Sequence, residues 1–331
     1  MPPPADIAAD PAFPQRSGPA ATARRFNAGD RSWAAGLTLL GGSILVVAGI
    51  IVLELWGVAR PALRELGLWK FLVSRDWDPV AGSFGALAFV YGTVVTSAVA
   101  MLVALPIGVA LALFLSEMGP KRLRPPVSFA IETLAAIPSV IYGLWGLFVL
   151  VPWLRSTVEP FLGRHLGFLP LFSGPPIGLG YLAAGLILAV MILPTICSVT
   201  IEVLKTVPPA LREGALALGA TRWEAIRMAV LPYSRAGIFG AALLGLGRAL
   251  GETMAVTMVI GNSPEIHASL FAPGYSLPAV IANEFAEATG ALHTGALAGL
   301  ALVLFGITVL LNALARLLLR AVARGPARAA A

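Results

Sequence analysis

The stretch Gly245-Leu-Gly-Arg-Ala-Leu-Gly-Glu-Thr-Met-Ala-Val256 decides the fold. It lies inside an apolar run from about Gly237 to Ile260, long enough as a helix to cross about 30 Å of hydrocarbon. Arg248 and Glu252 stand near the middle of that run. On a helix, residues four apart share one face. A charge at the bilayer centre costs on the order of 2.5–3.5 kcal/mol by insertion scales, so such residues face a partner or a wet cavity. The spacing therefore predicts a helix that lines a translocation path, with Arg248 and Glu252 as its pathway residues. A fixed ion pair that sets helix register explains the same spacing equally well.

The rest of the composition agrees with a membrane-embedded helix bundle. Of 331 residues, 58% are hydrophobic and only 12% charged, with a mean hydropathy of +0.86. Soluble globular proteins carry about 25% charged residues. A pI near 10.0 raises nucleic acid as a partner, but the basic residues fall in short clusters between apolar spans, which fits the positive-inside rule instead. The single cysteine, Cys197, excludes an intrachain disulfide framework and a cysteine-rich metal site. His165, His267 and His293 are isolated from one another in sequence, and no metal site is assigned to them.

Working outward, six apolar spans are expected at about 33–58, 86–116, 127–154, 178–203, 236–261 and 292–319. The chain then divides into a disordered cytoplasmic tail at 1–32, a first span with an outer segment at 33–85, a transmembrane core at 86–320 and a cytoplasmic tail at 321–331. No cleavable signal is expected, since the first apolar run is too long for a signal core. On one side, the N-terminal tail, the Lys121–Arg124 cluster, the 204–235 loop and the C-terminal end from Arg316 onward hold sixteen Lys and Arg, against six on the other side. That bias puts both termini in the cytoplasm.

Pro106, Pro138 and Pro194 fall inside the second, third and fourth expected spans, where each removes a backbone hydrogen bond. Thr93, Thr96, Ser97, Gly108, Ser139, Gly143, Thr195 and Ser198 accompany them. Close helix packing accounts for any one of these small residues. Some gain a second reading, as the lining of a polar cavity, from the needs of Arg248 and Glu252. In the outer segment, Arg60–Ser74 reads as an interfacial amphipathic helix, and Trp56, Trp69 and Trp77 as an aromatic belt. Asp76 and Asp78 read as solvated loop carboxylates, and Glu54 and Glu132 as interfacial.

The longest cytoplasmic loop, 204–235, is patterned as two short helices. Pro208 and Pro209 set an entry, Ala210–Leu218 are strong helix formers, and Gly219 is a stop. Thr221 and Glu224 match a capping box. Trp223, Ile226 and Val230 give the second helix an apolar face, and Pro232 is expected to end it. From helix physics alone this is either a docking knob or an ordinary interfacial hairpin.

The same loop resembles the EAA loop of binding-protein-dependent ABC importer permeases. Glu213, Ala215, Gly219, Leu231 and Pro232 match that pattern at the right spacing, while Gly214 and Ala229 depart from it. The segments Glu132–Gly146, Met191–Pro194 and Gly247–Asn262 are further similar to permeases of the phosphate-specific transport (Pst) family, and Thr253-Met-Ala-Val256 to the C-type rather than the A-type subunit. The resemblance implies an all-α type I ABC importer permease fold (MetI-like). It also implies a chain that is not itself an enzyme but couples to a separate ATPase through Glu213, Ala215, Gly219, Leu231 and Pro232. The implied partners are an A-type permease subunit, two ATPase subunits that bind ATP-Mg, and a periplasmic phosphate-binding protein, in a bacterial inner membrane. No phosphate-binding loop is present, because Gly245-x-Gly247 lacks the lysine-containing pattern and lies in a span. Gly247 and Gly251 instead form a G-x-x-x-G pair suited to helix packing. A permease for sulfate or molybdate, or a secondary anion transporter, remains the alternative at this level.

Overall fold

The structure is a computed structural model that describes residues 28–323, with side chains for 32–317. Residues 1–27 and 324–331, which hold most of the two expected tails, lie outside the described residues. Residues 28–32, expected in the N-terminal tail, are helical. Among the described residues the chain is all-α, with two isolated bridges and no strand. It divides into two units, residues 1–51 and residues 52–331. In the first unit, residues 28–51 are helical and belong to the helix Ala28–Leu66. The remainder of that helix and all that follows form the second unit.

Six helices are long and apolar enough to cross a membrane: Ser32–Leu66, Leu87–Met118, Ser139–Leu166, Tyr181–Lys205, Arg222–Leu250 and Ala291–Leu317. The chain is therefore a multi-pass membrane protein. The number of spans matches the sequence reading, but the boundaries of three spans move. The first helix runs into the expected outer loop as far as Leu66, where Gly67 (φ 80°) breaks it before the short helix Leu68–Val73. Arg60–Ser74 is thus not one interfacial helix. The third span starts at Ser139 instead of 127 and extends to Leu166, through what was expected to be loop. The fifth starts at Arg222 and stops at Leu250.

Glycines set the packing of the spans. A Cβ added at Gly108 would lie 2.9 Å from Ile196 Cγ2, and one at Gly185 would overlap Val99, so the second and fourth spans run in the same direction. A Cβ at Gly245 would lie 2.8 Å from Ile196 Cγ1, and one at Gly237 would overlap Val203. Those contacts make the fifth span antiparallel to the fourth. Close approach in hydrocarbon depends on such small residues, because lipid supplies no hydrophobic drive between helices. The fourth span is the most enclosed of the six, with Ile187, Leu188, Ile192 and Ile196 fully buried.

Four helical segments contain a widened turn: Phe114–Met118, Gly146–Leu150, Leu154–Val158 and Ile226–Val230. A proline stands two residues beyond each, at Pro120, Pro152, Pro160 and Pro232. Proline has no N–H and clashes with the carbonyl four residues back. Widening the turn by one residue lets that carbonyl reach the next N–H instead. This overturns the expectation that Pro232 ends the second loop helix. The helix passes through Pro232 and becomes the fifth span.

The outer segments are tied down by polar contacts. Trp77 Nε1 donates to Glu284 Oε2 (2.9 Å), and His293 Nε2 lies 3.0 Å from the same oxygen. Thr93 Oγ1 donates to Phe89 O and accepts from Leu277 N, both at 2.8 Å, which anchors the outer helix Leu277–Glu284 to the second span. Asp78 Oδ1 accepts from the N–H groups of Val80 and Ala81, so it builds a turn.

A Cβ at Gly92 would strike the Tyr275 carbonyl, whereas one at Gly240 meets nothing within 4 Å. Gly92→Ala should destabilise by about 1–3 kcal/mol, as overpacking does. Gly240→Ala should leave stability unchanged or slightly raised. The thermal midpoint of each purified variant in detergent measures this, and equal midpoints would sink the packing account.

Candidate functional site

The stretch that opened the sequence reading folds as two pieces. The helix Leu231–Leu250 ends at Gly251, and a second helix, Met254–Val259, begins three residues later. Arg248 therefore sits in the last turn of one helix, and Glu252 lies beyond its end. This corrects the expectation of a pair stacked four apart on a continuous helix. Among the described residues, no ion pair joins Arg248 to Glu252. Glu252 instead turns toward the next helix, where its Oε1 accepts the N–H of Ala255 at 3.3 Å. A carboxylate suits that place, since the first N–H groups of a helix have no partner in the chain and carry partial positive charge. Arg248, at the opposite kind of helix end, faces unsatisfied carbonyls that favour a cation.

A second break stands across from the first. The expected third span divides into the helix Arg124–Ala136 and the helix Ser139–Trp145, separated at Ile137 and Pro138. Of the three expected proline disruptions only Pro138 breaks its helix, while Pro106 and Pro194 stay inside theirs. A pre-proline residue avoids the helical region, and Ile137 is extended (φ −68°, ψ 128°). Tyr142 spans the break, its hydroxyl donating to Leu134 O at 2.7 Å. The two breaks meet through Met254–Val259, because a Cβ at Gly143 would lie 3.1 Å from Ala255 Cα and one at Gly146 3.0 Å from Val259 Cγ1. Ala255, Val256 and Val259 are buried there, while Arg248 is exposed and Glu252 partly so.

The small polar residues sort into two groups. Thr93 and Thr96 are buried and donate to carbonyls of their own helix, Thr93 also accepts the Leu277 N–H, and Gly108 and Gly143 are contact points between helices. Ser198 is exposed and lines a groove of about 300 Å³ with Ser128, Glu132, Glu202 and Lys205. Gly247 is open on its outer side, and Gly245 makes the close contact with the fourth span. That corrects the reading of Gly247 and Gly251 as the packing pair within this chain.

At the far end of the fifth span, the 204–235 loop folds as the sequence predicts over its first half. The helix Pro209–Ala217 ends at Gly219, which takes φ 87°. Thr221 and Glu224 complete the capping box. Glu224 N–H donates to Thr221 Oγ1 at 3.3 Å, and Thr221 N–H donates to Glu224 Oε2 at 2.7 Å. Ile226 and Val230 are buried as expected, but Trp223 is half exposed. Of the loop-motif residues, Glu213, Gly219 and Pro232 are exposed, and Ala215 and Leu231 are half-buried. Leu218 and Met228 also project, at 91% and 62% exposure. The hairpin thus exposes large apolar side chains alongside the charged Glu213, Arg222, Glu224 and Arg227. One contact was missed in the sequence: Arg212, on the first hairpin helix, forks onto Glu117 at the end of the second span. Nothing in the spacing of the two residues signals it, since 95 positions separate them.

Comparison with known proteins was made against this geometry. The sequence profile of the family described as "Binding-protein-dependent transport system inner membrane component" matches residues 104–325. The chain is 49% identical over 308 residues to the phosphate transport system permease protein PstC of Mesorhizobium japonicum, covering 92% of this chain and 94% of that one. It is 50% identical over 274 residues to the protein of the same name from Xylella fastidiosa, covering 82% and 84%. A probable PstC from Methanocaldococcus jannaschii is 38% identical over 262 residues, covering 76% and 82%. Among solved structures, a chain of a bacterial alginate ABC transporter in complex with its alginate-bound periplasmic protein superposes with a TM-score of 0.56. The match has 19% identity and covers 89% of this chain and 98% of that one. A chain of the inward-facing MetNI methionine ABC transporter gives 0.53 at 20% identity, covering 75% and 99%. These likenesses establish the ABC importer permease fold.

Glu252→Gln keeps an oxygen that can accept the Ala255 N–H, and Glu252→Ala does not. Glu252→Ala should therefore lower stability by about 0.5–2 kcal/mol, as lost caps do, and Glu252→Gln by clearly less. Thermal midpoints of the purified variants decide this, and an equal loss in both would rule out the capping role.

Proposed function

Because the chain belongs to the family of binding-protein-dependent transport system inner membrane components, we propose that it is the C-type permease subunit of an ATP-driven importer of inorganic phosphate. The observation that carries this reading is the near full-length likeness, at about half identity, to permeases named for phosphate transport. The exposed apolar hairpin supports coupling to a separate ATPase. A knob of Leu218, Trp223 and Met228 presented by a capped, glycine-stopped turn suits insertion into a cleft. Glu213, Ala215, Gly219, Leu231 and Pro232 form or frame that knob. ATP-Mg then belongs to two ATPase subunits, and the remaining partners are an A-type permease subunit and a periplasmic phosphate-binding protein. Both termini and the hairpin face the cytoplasm, and the membrane is the bacterial inner membrane.

In this reading the pathway runs past the two facing helix breaks. Phosphate carries one to two negative charges near neutral pH, and the planar guanidinium of Arg248 matches its oxygens in a way an ammonium does not. Arg248 is exposed in this chain and free of any carboxylate partner within ion-pair distance among the described residues. It is therefore available to an anion or to the second permease subunit. Glu252 serves the path by fixing the start of Met254–Val259 and by keeping a negative charge beside the arginine.

Uptake of labelled phosphate should fall by at least about tenfold, the value of one lost charge-assisted contact, in Arg248→Gln and in Glu252→Gln at unchanged membrane abundance. Normal rates in both would sink the pathway assignment. Gly219→Val forces a β-branched residue to φ 87° without any clash, a strain on the order of 1–2 kcal/mol. It should reduce co-purification of the ATPase, and full retention with normal uptake would count against the docking role.

A further inference from the structure

The hairpin is joined covalently only to the fourth and fifth spans, yet it is bonded to the second. Arg212 Nε lies 3.2 and 3.1 Å from the two carboxylate oxygens of Glu117, and its Nη2 donates to Glu117 Oε1 at 2.7 Å. The same guanidinium donates from Nη2 to Leu204 O at 2.8 Å and from Nη1 to Val207 O at 2.7 Å. Leu204 lies in the last turn of the fourth span, and Val207 lies just past its end. Glu117 lies in the widened turn that closes the second span. The pair is largely shielded, with side-chain exposures of 25% for Arg212 and 12% for Glu117. Arg212 thus donates to two carbonyls at one helix end while it clamps a carboxylate at another, a geometry a lysine cannot reproduce. Beneath it, Leu115, Leu204, Val207, Ile226 and Val230 belong to one buried cluster drawn from the same elements.

We propose that Arg212 is a positioning residue for energy coupling. Its fork on Glu117 makes the hairpin, the fourth span end and the second span move as one body, so that displacement of the hairpin reaches the whole parallel pair of spans. The proposal rests on the function given above and concerns a step inside it. Without the fork, the hairpin is held to the fourth and fifth spans through its chain connections and the buried cluster alone. ATP hydrolysis then proceeds, but less of it reaches the pathway.

The test uses the assembled transporter, with its second permease subunit, ATPase and binding protein, in proteoliposomes. Phosphate uptake and ATP hydrolysis are measured in parallel for Glu117→Gln and Arg212→Lys. Arg212→Lys keeps a charge and donors for the Leu204 and Val207 carbonyls but loses the fork. Phosphate moved per ATP should fall roughly tenfold in both, inside the 5- to 150-fold span of ordinary coupling energies, with hydrolysis retained. If the variants accumulate poorly, the ratio in the complexes that do assemble is decisive. An unchanged ratio there marks a purely structural contact and overturns the proposal. An unmodified complex without ATP-driven phosphate uptake would overturn the underlying function and the proposal with it. Normal uptake in the unmodified complex with unchanged ratios in both variants overturns the proposal alone.

Discussion

Backbone polar groups inside hydrocarbon have no water to turn to, so every departure from a helix at that depth must be satisfied by the protein itself. Much of this molecule is a set of answers to that demand. Ahead of Pro232, which has no N–H to give, the turn widens at Ile226–Val230. Where the helix stops altogether, a side chain takes over. Tyr142 reaches back to Leu134 O across the Ile137–Pro138 break, and Glu252 takes the Ala255 N–H after the stop at Gly251. The two full breaks are stacked on each other through Met254–Val259. Such breaks are tolerated only where protein or a cavity covers them, and the same place can hold a charge that lipid would reject.

The bundle around the breaks is built from small residues more than from large ones. Gly108, Gly185, Gly237 and Gly245 let the second and fifth spans approach the fourth so closely that an added Cβ at any of them would collide with an isoleucine or valine. The fourth span thereby becomes an enclosed axis, while the fifth, which packs on it through Gly237 and Gly245, keeps Arg248 exposed.

The six crossings were legible because a run of about twenty apolar residues has few other uses. The hairpin was legible because glycine at a positive φ and a Thr-x-x-Glu box leave local signatures. The break at Gly251 was not. Composition and hydropathy run unchanged through Leu250, Gly251 and Met254, so the pair looked continuous, and only three-dimensional support from Gly143 and Gly146 permits the stop. Pro232 misled in the opposite direction, since a proline signals an end unless a widened turn absorbs it. Glu117 and Arg212 show a third limit: a contact between distant positions has no period to betray it. Residue types at the two breaks were readable, and their mutual geometry was not.

The continuity of the helix through Pro232 has a mechanical consequence. From Arg222 to Arg248 one unbroken helical rod spans about 40 Å at 1.5 Å per residue. One end lies on the hairpin and the other at the break after Leu250. Such a rod acts as a lever. A tilt of about 5° about the hairpin end carries the Arg248 end sideways by about 3 Å, roughly the length of one hydrogen bond. A swing that small is enough to make or break a guanidinium's hold on an oxygen. No helix need melt and no loop need rearrange for a push at one end of the rod to be felt at the other.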